Sequence, residues 1–316
     1  MSEVTERPNE DNDTIESVCG PILDPVLLSV VICWGGNFVA FKYLMDFVGP
    51  TGLLLVRYAL ITVLLLAVLE LRGQLRTGNS KTMWVHLSVA GALIMGGQQI
   101  AFVLGLNLTA AGQGSLLFST APIFTALIVA AIGQERITAA NWVGIGAAMA
   151  GTAMVILGGA GAEHVPDTHL LGDLTMLLSS LGYAIYMVVS KPLMARYGAL
   201  KVVTLSYLLG LIVVTPIGAG EALAADWAAL GAVEWFAMVW LVLFAGAYGF
   251  VAWYWRIART SASRVAVYQY FVPVVAMILG AILLHERPAP VQIFGAAIVL
   301  LGLYFARRRD PAICPT

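Results

Sequence analysis

The chain has 316 residues, of which 60% are hydrophobic and only 11% charged, with a mean hydropathy of +0.88; that leaves too little polar surface to cover a soluble globule of this size. A formal net charge of −1, with no basic cluster beyond short loops, argues against a nucleic-acid partner. Cys19, Cys33 and Cys314 are odd in number and scattered, giving neither a disulfide framework nor a metal spacing, so no metal and no cofactor is expected.

Residues 1–24 carry Glu3, Glu6, Glu10, Asp11, Asp13, Glu16 and Asp24 against a lone Arg7 and almost nothing apolar, which reads as a disordered acidic tail. The tail has no basic start and no small-residue cleavage site, so the first hydrophobic stretch is expected to stay as a membrane helix. A hydrocarbon core about 30 Å thick needs roughly 20 apolar residues per helix. Ten segments meet that length: 25–46, 51–72, 83–106, 109–133, 138–158, 171–194, 199–220, 235–257, 262–284 and 289–306. Short connections separate them, among them Gly49-Pro50-Thr51-Gly52, a Lys/Arg-bearing loop at 73–82, a glycine-rich stretch at 158–170 and an amphipathic one near Asp226–Trp235.

The chain contains one pattern twice. Pro122 and Pro273, Glu135-Arg136 and Glu286-Arg287, Gly144 and Gly295, and Gly151 and Gly302 all stand 151 residues apart. Earlier positions match at 149: Asp24 with Asp173, Lys42 with Lys191, Gly49 with Gly198, Tyr58 with Tyr207. This is a duplicated half-protein, residues 25–158 and 171–309, a common build among transporters. Most of the 17 Lys and Arg fall on one side if the N-terminus is cytoplasmic, with Arg287 outside, so both termini are expected inside. Five helices per half is odd, so the second half enters the membrane upside down.

Trp34-Gly35-Gly36-Asn37-Phe38 with Lys42, Arg57, Ala121-Pro122 with Glu135, and the echoes Lys191, Pro273 and Glu286 resemble the drug/metabolite transporter superfamily, and within it the EamA-type ten-helix proteins. The resemblance spans about residues 25–306. It implies two inverted five-helix bundles, a central substrate cavity lined mainly by helices 1–4 and 6–9, alternating access, and small metabolites, often amino acids moved outward, as cargo. Where typical members carry Trp in helix 6, this chain has Gly182-Tyr183.

Polar and aromatic groups near mid-segment are the candidate lining: Trp34, Asn37, Gln98, Gln99, Phe102, Phe118 and Ser119 in the first half, Tyr183, Tyr186, Trp253, Tyr268 and Gln269 in the second. An amide without a partner is costly in hydrocarbon, so each faces either water in a cavity or a neighbouring helix. Pro122 and Pro273 each remove a backbone donor and read as symmetry-related kinks, either hinges beside the cavity or static packing features. Lys42 and Arg57 lie near a segment end, where they either snorkel to the surface or face the cavity and attract a carboxylate. Glu135-Arg136 and Glu286-Arg287 suit structural roles at turns. The small residues of 144–151 suit close helix approach, within the chain or in a homodimer.

No His-Glu-x-x-His, paired mid-helix aspartates or nucleophile-base pair appears in the segments, which argues against an intramembrane enzyme; no ring-forming filter appears, which argues against a channel. The reading is an inner-membrane or plasma-membrane carrier of a small metabolite, amino-acid export first, with drug efflux and nucleotide-sugar transport as rivals. Every acid lies outside the segments or at a segment end; Asp173, and then the histidine His86, stand nearest to a coupling position, so facilitated rather than proton-driven movement is expected.

Overall fold

The computed structural model describes residues 24–74, 81–133, 139–159, 169–259 and 268–306. The acidic tail up to residue 23, Glu135-Arg136, His164, Arg264 and Arg307–Arg309 lie outside the described residues. Among the described residues every regular element is helical. α1 is Pro25–Val48 and α2 Pro50–Leu71. α3 is assembled from Lys81–Leu87, Ser88–Gly96 and Gly97–Leu108, and α4 from Ala111–Phe118 and Ala121–Ala131. α5 is Ala139–Gly159, α6 His169–Tyr197 and α7 Ala199–Ala224. α8 joins Ala232–Val239, Trp240–Tyr248 and Gly249–Arg259; α9 joins Gln269–Phe271 to Val272–Leu283; α10 is Pro290–Ala306.

Each predicted segment thus contains a helix. Seven of them, α1 to α4 and α6 to α8, are long and apolar enough to cross a membrane. Shorter apolar helices, Trp142–Val155, Val272–Leu283 and Pro290–Gly302, stand in α5, α9 and α10.

Two joints show how local chemistry shapes the bundle. α1 ends and α2 begins around Gly49 alone, and α6 and α7 around Gly198; their φ values of 81° and 84° with extended ψ belong to a region open essentially to glycine. The prolines do something other than kink an intact helix. Pro122 stands in the first turn of Ala121–Ala131, after α4 has broken at Ser119 and Thr120, and Pro273 in the first turn of Val272–Leu283, after a 3₁₀ turn. Because Pro122 has no N–H, the Phe118 carbonyl four residues back is released, and it accepts the Ser180 hydroxyl at 3.1 Å instead.

α3 and α8 each carry a nine-residue π-helical stretch, Ser88–Gly96 and Trp240–Tyr248, at matching places in the two halves. Contacts repeat in the same way. α1 packs on α8 and α9 as α6 packs on α3 and α4, while α2 with α7, α4 with α9, and α5 with α10 pair across the halves. Tyr58 and Tyr207, equivalent positions, lie against each other at a tilt of 49° with centroids 4.6 Å apart. Of the small residues of α5, Gly151 serves packing within the chain: it lies against the Gly295 carbonyl and Val299 of α10, where a Cβ would approach to 2.7 Å.

Candidate functional site

The Trp34-Gly35-Gly36-Asn37-Phe38 stretch places α1 at the centre. Gly35 lies against Val275 and Gly36 against the Trp240 indole, both closer than any Cβ would allow. Trp34 Nε1 donates to the Ala245 carbonyl at 3.1 Å, and Trp240 Nε1 donates to the Cys33 carbonyl at 3.2 Å, so α1 is locked to the π stretch of α8 from both sides. Beside this contact, at the junction of the halves, lies a cavity of about 50 Å³. At roughly 10–15 Å³ per water it holds three or four waters.

The first half contributes Trp34, Asn37 and Phe38 from α1, Arg57 from α2, Gln99 and Phe102 from α3, and Phe118 and Ser119 from the break in α4. The second contributes Tyr183, Phe250, Gln269 and Val272. Trp34 with Tyr183, Gln99 with Phe250 and Phe118 with Gln269 are pairs of equivalent positions, so both halves wall the same space. The aromatic rings interlock: Phe102 lies edge to face 5.3 Å from Phe38 and 5.5 Å from Phe118, which lies tilted 5.3 Å from Tyr183.

Of the sequence candidates, Trp34, Asn37, Phe102, Phe118, Tyr183 and Gln269 come together here, with Gln99, Ser119 and Arg57. Four others do not line the cavity. Gln98 turns to Ser179 at 2.8 Å, and Tyr186 donates its hydroxyl to Ser206 at 3.2 Å. Trp253 backs Trp34 at 4.8 Å, and the Tyr268 hydroxyl accepts the Asp24 amide at 2.7 Å. Lys42 neither reaches the cavity nor stands free: its ammonium holds the Leu106 and Asn107 carbonyls, at 3.1 and 2.7 Å, at the end of α3. Phe38, Phe250 and Val272 were missed, being apolar residues in apolar helices. The one available signal was that Phe250 is the repeat partner of Gln99.

Arg57 does not snorkel. It is 3% exposed, lies over the Phe41 ring at 4.8 Å and makes no hydrogen bond or ion pair. No carboxylate or histidine lines the cavity among the described residues.

Both ends of the bundle are closed by contacts between the halves. At one end Asp24 pairs with Arg256 and Ser29 meets the Tyr248 hydroxyl. At the other, Glu286 accepts the backbone N–H groups of Ala111 and Gly112 at 2.6 and 3.1 Å, which caps the free start of α4. There too Asp173, 0% exposed, accepts from Thr109 at 2.9 Å and Gln113 at 2.6 Å, and Gln113 Oε1 accepts from Gln292 at 2.7 Å. A wider recess of about 750 Å³ opens beyond Gln113, Glu286 and Gln292.

The model of the EamA-like transporter family matches this chain twice, over residues 22–157 and 170–308. An uncharacterized transporter of Archaeoglobus fulgidus is 28% identical over 289 residues, covering 90% of this chain and 98% of its own. A probable terminal-alkyne amino-acid exporter of Streptantibioticus cattleyicolor is 28% identical over 284 residues, covering 90% and 92%. A probable amino-acid metabolite efflux pump of Escherichia coli is 24% identical over 286 residues, covering 88% and 92%. A solved crystal structure shares the fold, with a TM-score of 0.63 at 20% identity over 89% of this chain and 94% of that one. The double family match and the cavity between two repeated sets of helices lead to one conclusion: the chain belongs to the EamA-like transporter family, and it is an integral membrane transporter of small molecules rather than an enzyme.

Proposed function

We propose that the chain is an alternating-access carrier of the plasma or bacterial inner membrane, with both termini cytoplasmic, that exports an amino acid or a related metabolite. The observation that carries this reading is the small cavity at the junction of the halves, lined by residues of both and flanked at each end of the bundle by contacts that join them, the arrangement expected of an alternating-access carrier. The halves run in opposite directions across the membrane, so each end of the bundle is built from matching corners of the two repeats. The exporter and efflux names of the relatives favour outward amino-acid traffic. Driving force comes from the substrate's own gradient, in keeping with a cavity lining that offers no carboxylate or histidine.

Purified protein in proteoliposomes should show saturable counterflow of radiolabelled amino acids, accelerated by unlabelled amino acid on the far side and unchanged by an imposed pH gradient. Flux that climbs linearly with concentration and ignores the far side would make it a channel; drug or nucleotide-sugar counterflow alone would change the cargo; accumulation that an uncoupler collapses would make it proton-driven. Single cysteines at Lys81 and Ala232, equivalent and exposed helix starts, should label from opposite sides of the membrane. Labelling from one side would end the inverted-repeat reading.

A further inference from the structure

The polar atoms in the central cavity are of a particular kind. Among the described residues Arg57 is a buried cation with no counter-charge: its Nε has no partner, and the guanidinium lies over the Phe41 ring within electrostatic reach of Tyr58 and Tyr207. Its repeat equivalent is Ser206, so the cation belongs to one half alone. A permanently charged group placed this way is strongly disfavoured unless an anion joins it, and guanidinium geometry fits a carboxylate with two parallel hydrogen bonds.

Two carbonyl-type acceptors without partners line the same space. Gln98 donates to Ser179 and accepts from Gln99 Nε2 at 3.1 Å, a relay that leaves Gln99 Oε1 buried and unpaired. Asn37 Oδ1 is also buried and unpaired. Buried polar atoms in native proteins nearly always find partners, and three of those without one belong to residues that line this single cavity, which points to a ligand that completes them once they turn towards it. A donor-only cation asks for an anion; two acceptor oxygens ask for N–H groups. The aromatic walls from Trp34 to Tyr183 suit the apolar remainder of such a molecule.

We propose that Arg57 receives the carboxylate of the transported molecule and that Gln99 and Asn37 receive its ammonium, so the cavity selects compounds with a free carboxylate and a free amine together. This rests on the carrier reading above and deepens it by assigning the recognising atoms. In the closed form the pocket holds only a few waters, so a substrate side chain requires the aromatic wall around Phe102 and Phe118 to part as it enters.

The test is a melting-temperature screen on purified protein, since a ligand of the folded state raises its melting point. The twenty L-amino acids are compared with their methyl esters, their decarboxylated amines and their deaminated acids. At least one amino acid should raise the melting temperature; its ester and amine, lacking the carboxylate, should fall at least tenfold in apparent affinity, and the deaminated acid should lie between. Arg57→Gln should abolish the shift while leaving the unliganded protein at least as heat-stable as wild type, because it removes an uncompensated buried charge. Arg57→Lys should retain a weakened shift. An ester or amine that matches its parent acid, a full shift in Arg57→Gln, or no shift from any amino acid would overturn the assignment. Saturable counterflow of another compound class, alongside such a failure, would leave the carrier standing and remove only its zwitterionic cargo.

Discussion

Asp24 and Asp173 occupy the same position in the two repeats, at the starts of α1 and α6, yet they close opposite ends of the bundle by different chemistry. Asp24 caps its own helix through Val26 and Leu27 and pairs with Arg256, with side chains 12% and 25% exposed. Asp173 is fully buried and accepts hydrogen bonds from the neutral donors Thr109 and Gln113, the latter tied onward to Gln292 of α10. An ion pair in partial contact with solvent contributes at most about 1 kcal/mol, whereas a buried acceptor stripped of a donor costs about 1–3 kcal/mol and more if charged. One ancestral corner has thus become a weak, salt-sensitive closure at one end and a strong, geometry-dependent one at the other.

This inequality can be broken by mutation. Gln113→Leu, which removes a donor from Asp173 and leaves Gln292 Nε2 without its acceptor, should have the largest effect, about 2–3 kcal/mol in a detergent-unfolding titration. A loss no greater than that of the Asp24 variants would erase the distinction. Asp24→Ala removes cap and ion pair together and should cost about 1–2 kcal/mol by the same titration. Asp24→Asn keeps a capping oxygen and loses only the charge, so its cost should stay under about 1 kcal/mol and shrink further in 0.5 M salt, where the Debye length is a few ångströms. A salt-independent deficit in that variant would show that Arg256 does more than pair with Asp24.

The membrane class, the duplication and the central position of Trp34, Asn37, Phe102, Phe118, Tyr183 and Gln269 were legible because polar and aromatic side chains stand out within apolar helices. What stayed hidden is a matter of helical phase. Gln98 and Gln99 are neighbours pointing about 100° apart, and only the rotation of α3 decides which one meets the cavity. That rotation is altered by the π stretch Ser88–Gly96 immediately before them, and Trp240–Tyr248 does the same ahead of Phe250 and Trp253. The expected Gln98 and Trp253 accordingly stand behind the lining, while their near neighbours Gln99 and Phe250 form it. A 3.6-residue period carries no mark of where a wider turn will insert. Asp173 is a case of another kind: its place near the start of α6 is legible by sequence, but its complete burial beside α3 and α4 is a tertiary feature that no periodicity carries.

The Tyr58–Tyr207 pair joins a residue to its own equivalent, so an operation that swaps the conformations of the two repeats returns this contact to itself. The same holds for the pairings of α2 with α7, α4 with α9 and α5 with α10, whereas α1 against α8 and α6 against α3 trade places. In the language of symmetry these self-related contacts are fixed points. A covalent tie across those two rings, next to the residue that carries the buried cation, would therefore join the halves at a contact that such an exchange maps onto itself.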